Sequence, residues 1–336
     1  MSKKAPIATY STHLTDTPAL RAWNKIGHGA EPTSIELWRQ SNKKPTVYRL
    51  IFESPRHPSV FAKYAPRGSL SLERGIYEDI LPRLPVSTPR YFGFHADADG
   101  SDWLFLEDVG GERLSARDPA HRVLAARWLA ALHRAAADLP AAQRLPAAGA
   151  TRYLAHLRSA RAMIRRNMGN RGLTTEDRAL LVELLAQSEA VEARWDGIER
   201  ACAGLPETLV HGDFQPKNVR VRENGGGWTL YPIDWEMAGF GIPAADLAPA
   251  RGPDAPMQVD VETYAEEART RWPELDAAAV RKLAMLGRIF RTVASIDWEC
   301  LNLVFETPDC LIGPLRTVRL YSARITDWLA AAPEWL

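Results

Sequence analysis

The chain has 336 residues, 46% of them hydrophobic and 25% charged, with a formal net charge of +1. That length suffices for two folded units with ordinary cores, and the composition excludes disorder. The balance of charge leaves no footprint for nucleic acid: the basic run Arg158, Arg161, Arg165 and Arg166 has the spacing of the wet face of an amphipathic helix.

The N-terminus, MSKKAPIATYSTH, lacks the apolar segment of a secretory signal, and no apolar run approaches the roughly 18 residues that would cross a bilayer. An intracellular, cytoplasmic protein without a membrane partner is expected. Cys202, Cys300 and Cys310 are odd in number and show no C-x-x-C spacing, so they are expected to pack in cores rather than to form disulfides or hold zinc.

Regular structure is expected from about residue 33. TSIELWRQ, TVYRLIFE and SVFAKY read as three strands of a meander, broken by the polar SNKKP and SPRHP. In SLSLERGIYEDILPRL, Leu72, Ile76, Ile80 and Leu84 recur at helical spacing, predicting one helix that stops near Pro82 or Pro85. A strand near Arg90 to His95, a turn rich in Asp and Gly, and a strand from Trp103 to Glu107 complete a small sheet with one helix. Beyond Asp118 the chain is Ala- and Leu-rich with helical periodicity, interrupted by strand signals only over 219–233. Two lobes follow, 1–109 and 110–336, with a seam at Val109 to Gly111.

The interruption holds the chemistry. VRVRENGGGWTLYPI reads as a hairpin turning near Gly226, since Asn-Gly and Gly-Gly supply the positive φ angles of such turns. Asn218 and Asp234 lie eight residues either side of that centre and are expected side by side at its open end, where ladder partners stand about 4.5–5.5 Å apart. An amide oxygen beside a carboxylate, without His or Cys, suits a hard cation that takes its other ligands from water and phosphate, as Mg²⁺ does. Asp213, five residues before Asn218, can orient a hydroxyl and accept its proton as it attacks phosphorus. Taken singly, Asp213 and Asn218 are also ordinary turn residues that satisfy backbone N–H groups.

HGDFQPKN followed by YPIDWE resembles the catalytic loop and metal-binding segment of aminoglycoside phosphotransferases and choline kinase-like enzymes, small-molecule kinases with a protein-kinase-like fold. The resemblance implies an α+β bilobal fold, with a small antiparallel β-sheet lobe carrying one helix and a larger, mostly helical C-terminal lobe. It implies Asp213 as base, Asn218 and Asp234 as magnesium ligands, His211 as a brace of the loop, and Asp246 in GIPAADLA as its buttress. A kinase of this kind needs a cation for the α- and β-phosphates and an acid to hold it. Lys63, on the third strand, supplies the first. Glu73 supplies the second, because it aligns with Tyr77 and Ile80 beside the apolar stripe, whereas Glu78 stands one step from Arg74 on an exposed face and is held in reserve. LFLEDVGG resembles the connector on which adenine rests, through the carbonyl of Glu107 and the N–H of Val109. The loop expected over the phosphates has no glycine, leaving Ser41, Asn42 and Lys43 to touch them. Gly27-His28-Gly29 is too incomplete for a dinucleotide site, and no P-loop occurs.

The implied reaction is transfer of the γ-phosphate of ATP, or of GTP, with Mg²⁺, to a hydroxyl of a small molecule. Glu236, Asp297, Trp298 and Glu299 are candidates to line an acceptor pocket, and acids beside an indole suit an amino sugar, an antibiotic, a sugar or an amino alcohol. A protein kinase is disfavoured by GFGIPAADLA following the metal Asp too closely and by the lack of an A-P-E segment. A non-catalytic nucleotide-binding regulator is disfavoured by the presence of both Asp213 and Asp234. The oligomeric state is not encoded in any feature of the sequence.

Overall fold

A computed structural model of the protein describes residues 5–40, 44–53, 57–249 and 256–330. The chain divides into two compact units, one formed by Met1–Leu114 with Pro216–Glu236 and the other by Ser115–Gln215 with Met237–Leu336. The segment 216–236, which a division into 1–109 and 110–336 assigns to the C-terminal lobe, therefore clusters with the first unit.

The first unit is built on strands β1 (Ala8–Tyr10), β2 (Ser34–Arg39), β3 (Thr46–Ile51), β4 (Val60–Pro66), β5 (Tyr91–Ala96) and β6 (Ser101–Glu107), hydrogen-bonded in the order β1-β2-β3-β4-β6-β5. All five ladders are antiparallel. The meander expected from residue 33 is present, but the unit begins earlier. A helix over Pro18–Lys25, capped by Thr17 with Pro18 in its first turn, buries Ala19, Leu20, Ala22 and Trp23. They pack against Ile35, Leu50, Val60, Ala62, Trp103 and Phe105 of the sheet, so a sequence reading that starts at 33 misses one side of this core. Its signals were local: a capping Thr, a Pro where the N–H is dispensable, and apolar residues three apart.

The helix expected over 69–84 is α-helical only for Ser71–Gly75; a π-helical turn over Ile76–Ile80 and a 3₁₀ turn over Leu81–Arg83 continue it. Pro82 explains the change, since it has no N–H to donate and its ring collides with the carbonyl four residues back. Two further strands, Val219–Glu223 and Trp228–Pro232, form the expected hairpin. Its first strand also pairs with β7 (Glu112–Arg113).

The second unit is helical, with long helices over Pro119–Ala136, Ala150–Asn167, Thr175–Glu192, Ala277–Cys300 and Pro308–Ala330. The hairpin is not the only interruption of the helical half, as the periodicity implied: Thr208–Val210 pairs antiparallel with Gly239–Gly241. Three-residue strands are too short to display a period of two. Gly287 lets the Ala277–Cys300 helix lie directly on Ala244–Leu247, where any Cβ would overlap the Ala244 carbonyl. Arg158 and Arg165 stand on the wet face expected, paired with Glu192 at 2.7 Å and Glu189 at 2.8 Å. The cysteines depart from expectation. All three are free, but only Cys300 is buried; Cys202 is half-buried and Cys310 exposed. Isolated apolar neighbours in the sequence do not fix which side of a helix faces inward.

Candidate active site

In the first unit, Lys63 lies on β4 between Val47 of β3 and Leu104 of β6, in the middle of the sheet. Its Nζ donates to Glu73 Oε1 at 2.7 Å, to Glu73 Oε2 at 2.8 Å and to Asp234 Oδ1 at 2.8 Å. Glu73 is 3% exposed. Burial pulls the Lys63 ammonium down, but Glu73 and then Asp234 outweigh it and hold Lys63 above the usual lysine value. Glu78 takes a different place, bonded to Arg74 at 2.8 Å and to the Tyr91 hydroxyl.

Asn218 and Asp234 stand at the open end of the hairpin, in a register one residue from the expected one. Pro232 pairs with Val219, and the Ile233 N–H donates to the Asn218 carbonyl at 2.8 Å. Ile233, not Asp234, is thus the residue facing Asn218, because the turn is centred between Gly225 and Gly226. Strict alternation would then send Asp234 to the opposite face. Asp234 instead leaves the strand with φ 71°, a left-handed conformation in which alternation no longer applies and which Asp tolerates better than most residues.

The two residues offer an amide and a carboxylate oxygen, a donor set that fits Mg²⁺ and not a thiophilic metal. Among the described residues no group of three or more His, Cys, Asp or Glu is placed to hold an ion; a cation completed by phosphate and water does not require one. Two residues on, Glu236 is exposed. Partial desolvation, then repulsion from Asp234, raises its carboxyl above the usual range.

At the connector, Arg222 reaches from the hairpin to Glu107 Oε1 at 3.2 Å and the Val109 carbonyl at 3.1 Å, bracing the segment. Val109 itself is buried. Ser41, Asn42 and Lys43 lie outside the described residues.

The second unit contains Asp213. The loop from His211 to Gln215 is held by buried Asp246, which accepts from the His211 N–H at 2.7 Å, the Gly212 N–H at 2.8 Å and His133 Nε2 at 3.4 Å. Burial pushes the Asp246 carboxyl up, yet His133, His211 and the backbone donors win and leave it below the ordinary carboxylate value. His211 is fully buried, and its Nδ1 accepts the Asp213 N–H at 3.3 Å. Gly212 has φ 77°, and a Cβ there would overlap the Met237 carbonyl, so the glycine of HGD is dictated twice. Asp213 is 5% exposed. Its Oδ1 accepts from the Gln215 side chain and lies 3.9 Å from Arg291 Nη2.

Asp297, Trp298 and Glu299 end the Ala277–Cys300 helix. Asp297 Oδ2 is bonded to His156 Nδ1 at 2.8 Å, while its Oδ1 is buried with no partner. Trp298 is half-buried, edge-on to His156 with ring centroids 6.1 Å apart. His133, His156, Gln215 and Arg291 were invisible as site neighbours in the sequence. Gln215 alone sat inside the motif; the others meet partners 78 to 141 residues away.

A profile of the APH phosphotransferase enzyme family matches residues 35–283. Among curated protein sequences, none matches the chain. Among solved structures, the GDP complex of a mutant aminoglycoside 2′-phosphotransferase-IIIa superposes with TM-score 0.60 at 14% identity, over 91% of this chain and 97% of that one. Choline kinase from Cryptosporidium parvum Iowa II gives 0.57 at 14%, over 88% and 90%. Spectinomycin phosphotransferase in complex with ADP and spectinomycin gives 0.56 at 14%, over 95% and 98%. The shared architecture is the protein-kinase-like fold, an N-terminal antiparallel sheet followed by a largely helical region.

Proposed function

For this chain, which belongs to the APH phosphotransferase enzyme family and is a small-molecule kinase, we propose transfer of the γ-phosphate of ATP to a hydroxyl of a small, amine-bearing molecule. The observation that carries the nucleotide half is the unbroken ion-pair chain Glu73–Lys63–Asp234. A buried ammonium between two carboxylates is costly to assemble for stability alone; it places a fixed positive charge where α- and β-phosphates can be held. Solved relatives carry GDP in one case and ADP in another, in keeping with a purine nucleotide donor. Glu107 and Val109 frame the base.

Asn218 and Asp234 would hold Mg²⁺, which supplies charge neutralisation on the phosphates when bound. Asp213 is the base. Five residues separate it from Asn218, so chain geometry alone keeps their Cα atoms within roughly 18 Å. As the acceptor oxygen bonds to the γ-phosphorus, the bond from that phosphorus to the β–γ bridging oxygen breaks, ADP leaves, and the hydroxyl proton passes to Asp213. Asp246 and His211 keep the loop in one shape while this happens. On the acceptor side, Asp297 offers a buried carboxylate oxygen with no donor of its own, and His156, which bonds its other oxygen, packs against the Trp298 indole. That chemistry favours an ammonium group, as in an amino sugar or amino alcohol; Glu236 and Glu299 are further acids proposed for the acceptor side.

Screening aminoglycosides, amino alcohols and sugars for acceptor-dependent ADP release tests the reading. Turnover should require Mg²⁺ and vanish in EDTA. Asp213→Ala should abolish it while a fluorescent ATP analogue still binds; unchanged turnover in that variant sinks the assignment.

A further inference from the structure

Arg291 has no place in the reaction as written, yet its guanidinium lies beside the proposed base. It projects from the Ala277–Cys300 helix, with its side chain 11% exposed. Nη2 stands 3.9 Å from Asp213 Oδ1, and Nη1 donates to the Phe214 carbonyl at 3.4 Å. One guanidinium thus meets both the carboxylate of residue 213 and the main chain of residue 214. The Phe214 carbonyl also accepts from Gln258 Nε2 at 2.9 Å, which bonds the Ala248 carbonyl at the same distance. Gln215, 3% exposed, donates to the same Asp213 oxygen. A rigid, permanently charged fork and an amide therefore converge on Oδ1.

Packing alone does not require this arrangement. The loop is already held by Asp246 at His211 and Gly212 and by Gln258 at Phe214, and Phe214 is fully buried, stacked on Trp128 with centroids 6.2 Å apart. Those contacts act on the main chain of the loop, whereas Arg291 and Gln215 act on the Asp213 carboxylate itself. Burying an arginine is unfavourable, and one is retained where its charge has a partner.

We infer that Arg291 is a positioning residue for Asp213, fixing the carboxylate by holding Oδ1 together with Gln215 so that the acceptor hydroxyl meets the base in a single orientation. The inference rests on Asp213 being the base. It assigns a role in this enzyme to a helix far along the chain, outside the catalytic loop and the metal segment.

The test is steady-state ADP release from Mg·ATP with the best acceptor of the screen above, on the full chain, with melting temperature measured alongside. Arg291→Gln should lower kcat about ten- to a hundredfold, the loss expected of a base misplaced by about an ångström, with the KM for ATP unchanged. Arg291→Lys should recover part of kcat, and millimolar guanidinium should rescue Arg291→Ala. Unchanged kcat in Arg291→Gln overturns the inference. So does a fall in kcat accompanied by a rise in the KM for ATP, with no rescue by lysine or guanidinium, which marks a purely structural arginine. If Arg291→Gln does not fold, guanidinium rescue of Arg291→Ala and the Lys variant decide. The two readings fail separately: full turnover in Asp213→Ala removes the base itself, whereas an inert Asp213→Ala beside a fully active Arg291→Gln removes only the positioning role.

Discussion

Lys63 Nζ lies 2.8 Å from Asp234 Oδ1 across 171 residues of sequence, and the same nitrogen holds both oxygens of Glu73. The proposed nucleotide-side and metal-side acids thus share one cation.

Lys63→Met should therefore damage more than nucleotide binding. Removing one partner leaves Glu73 buried and uncompensated, a loss of about 3–5 kcal/mol, read as a fall in urea midpoint. Adding Glu73→Leu should restore most of the stability without restoring ADP release. If the double variant is as unstable as the single one, the ion pair is not the source of the loss.

Asp246→Asn should loosen the catalytic loop. The asparagine amide would face the N–H groups of His211 and Gly212 with a donor of its own, costing about 1–3 kcal/mol or more. The sign with pH follows from the depressed folded value: a carboxyl held below 3.8 contributes stability above that pH and loses it as pH falls through the folded pKa. Thermal melts of the wild type should steepen their decline below about pH 4. Those of Asp246→Asn should lack that component; parallel acid limbs in the two proteins would refute it.

Gly287→Ala should destabilise the second unit by about 1–3 kcal/mol or more, because its methyl group would overlap the Ala244 carbonyl. Gly313→Ala, in open space on the Pro308–Ala330 helix, should be neutral or mildly stabilising. Circular dichroism melts of the pair distinguish close approach from a general intolerance of added methyls.

Asp297→Asn should raise the KM for an amine-bearing acceptor about ten- to a hundredfold, the range of a charge-assisted hydrogen bond of about 1.5–3 kcal/mol. The KM for a neutral hydroxylated acceptor should barely change. Equal effects on both acceptors would move Asp297 from recognition to support of His156.

The fold class was legible in the sequence, and so was the meeting of Lys63 with Glu73. HGDFQPKN and YPIDWE carry the family resemblance in local spacing, and a strand-borne lysine ahead of a short helix points to Lys63 and Glu73 because both lie within eleven residues. The register at Asp234 was not legible. A hairpin with three consecutive glycines can turn about either of two centres, and only the ladder, with Ile233 donating to Asn218, decides between them. The π-helical turn at Ile76–Ile80 keeps its apolar residues at helical intervals, so periodicity could not separate it from α-helix. Arg291 and His156 carried no signal, since a side chain that crosses from one helix to a loop or neighbouring helix leaves no pattern in its own surroundings.

The first unit draws Pro216–Glu236 together with Met1–Leu114, and this orders events on the ribosome. At roughly 5–20 residues per second, Lys63 and Glu73 are synthesised roughly ten to thirty seconds before Asp234 exists. Until then Asp234 is not there to pair with Lys63, nor Val219–Glu223 to pair with Glu112 and Arg113. Acylation of Lys63 in stalled nascent chains should accordingly cease only once residue 236 has cleared the exit tunnel, a schedule no truncated gene product ending at residue 114 could complete.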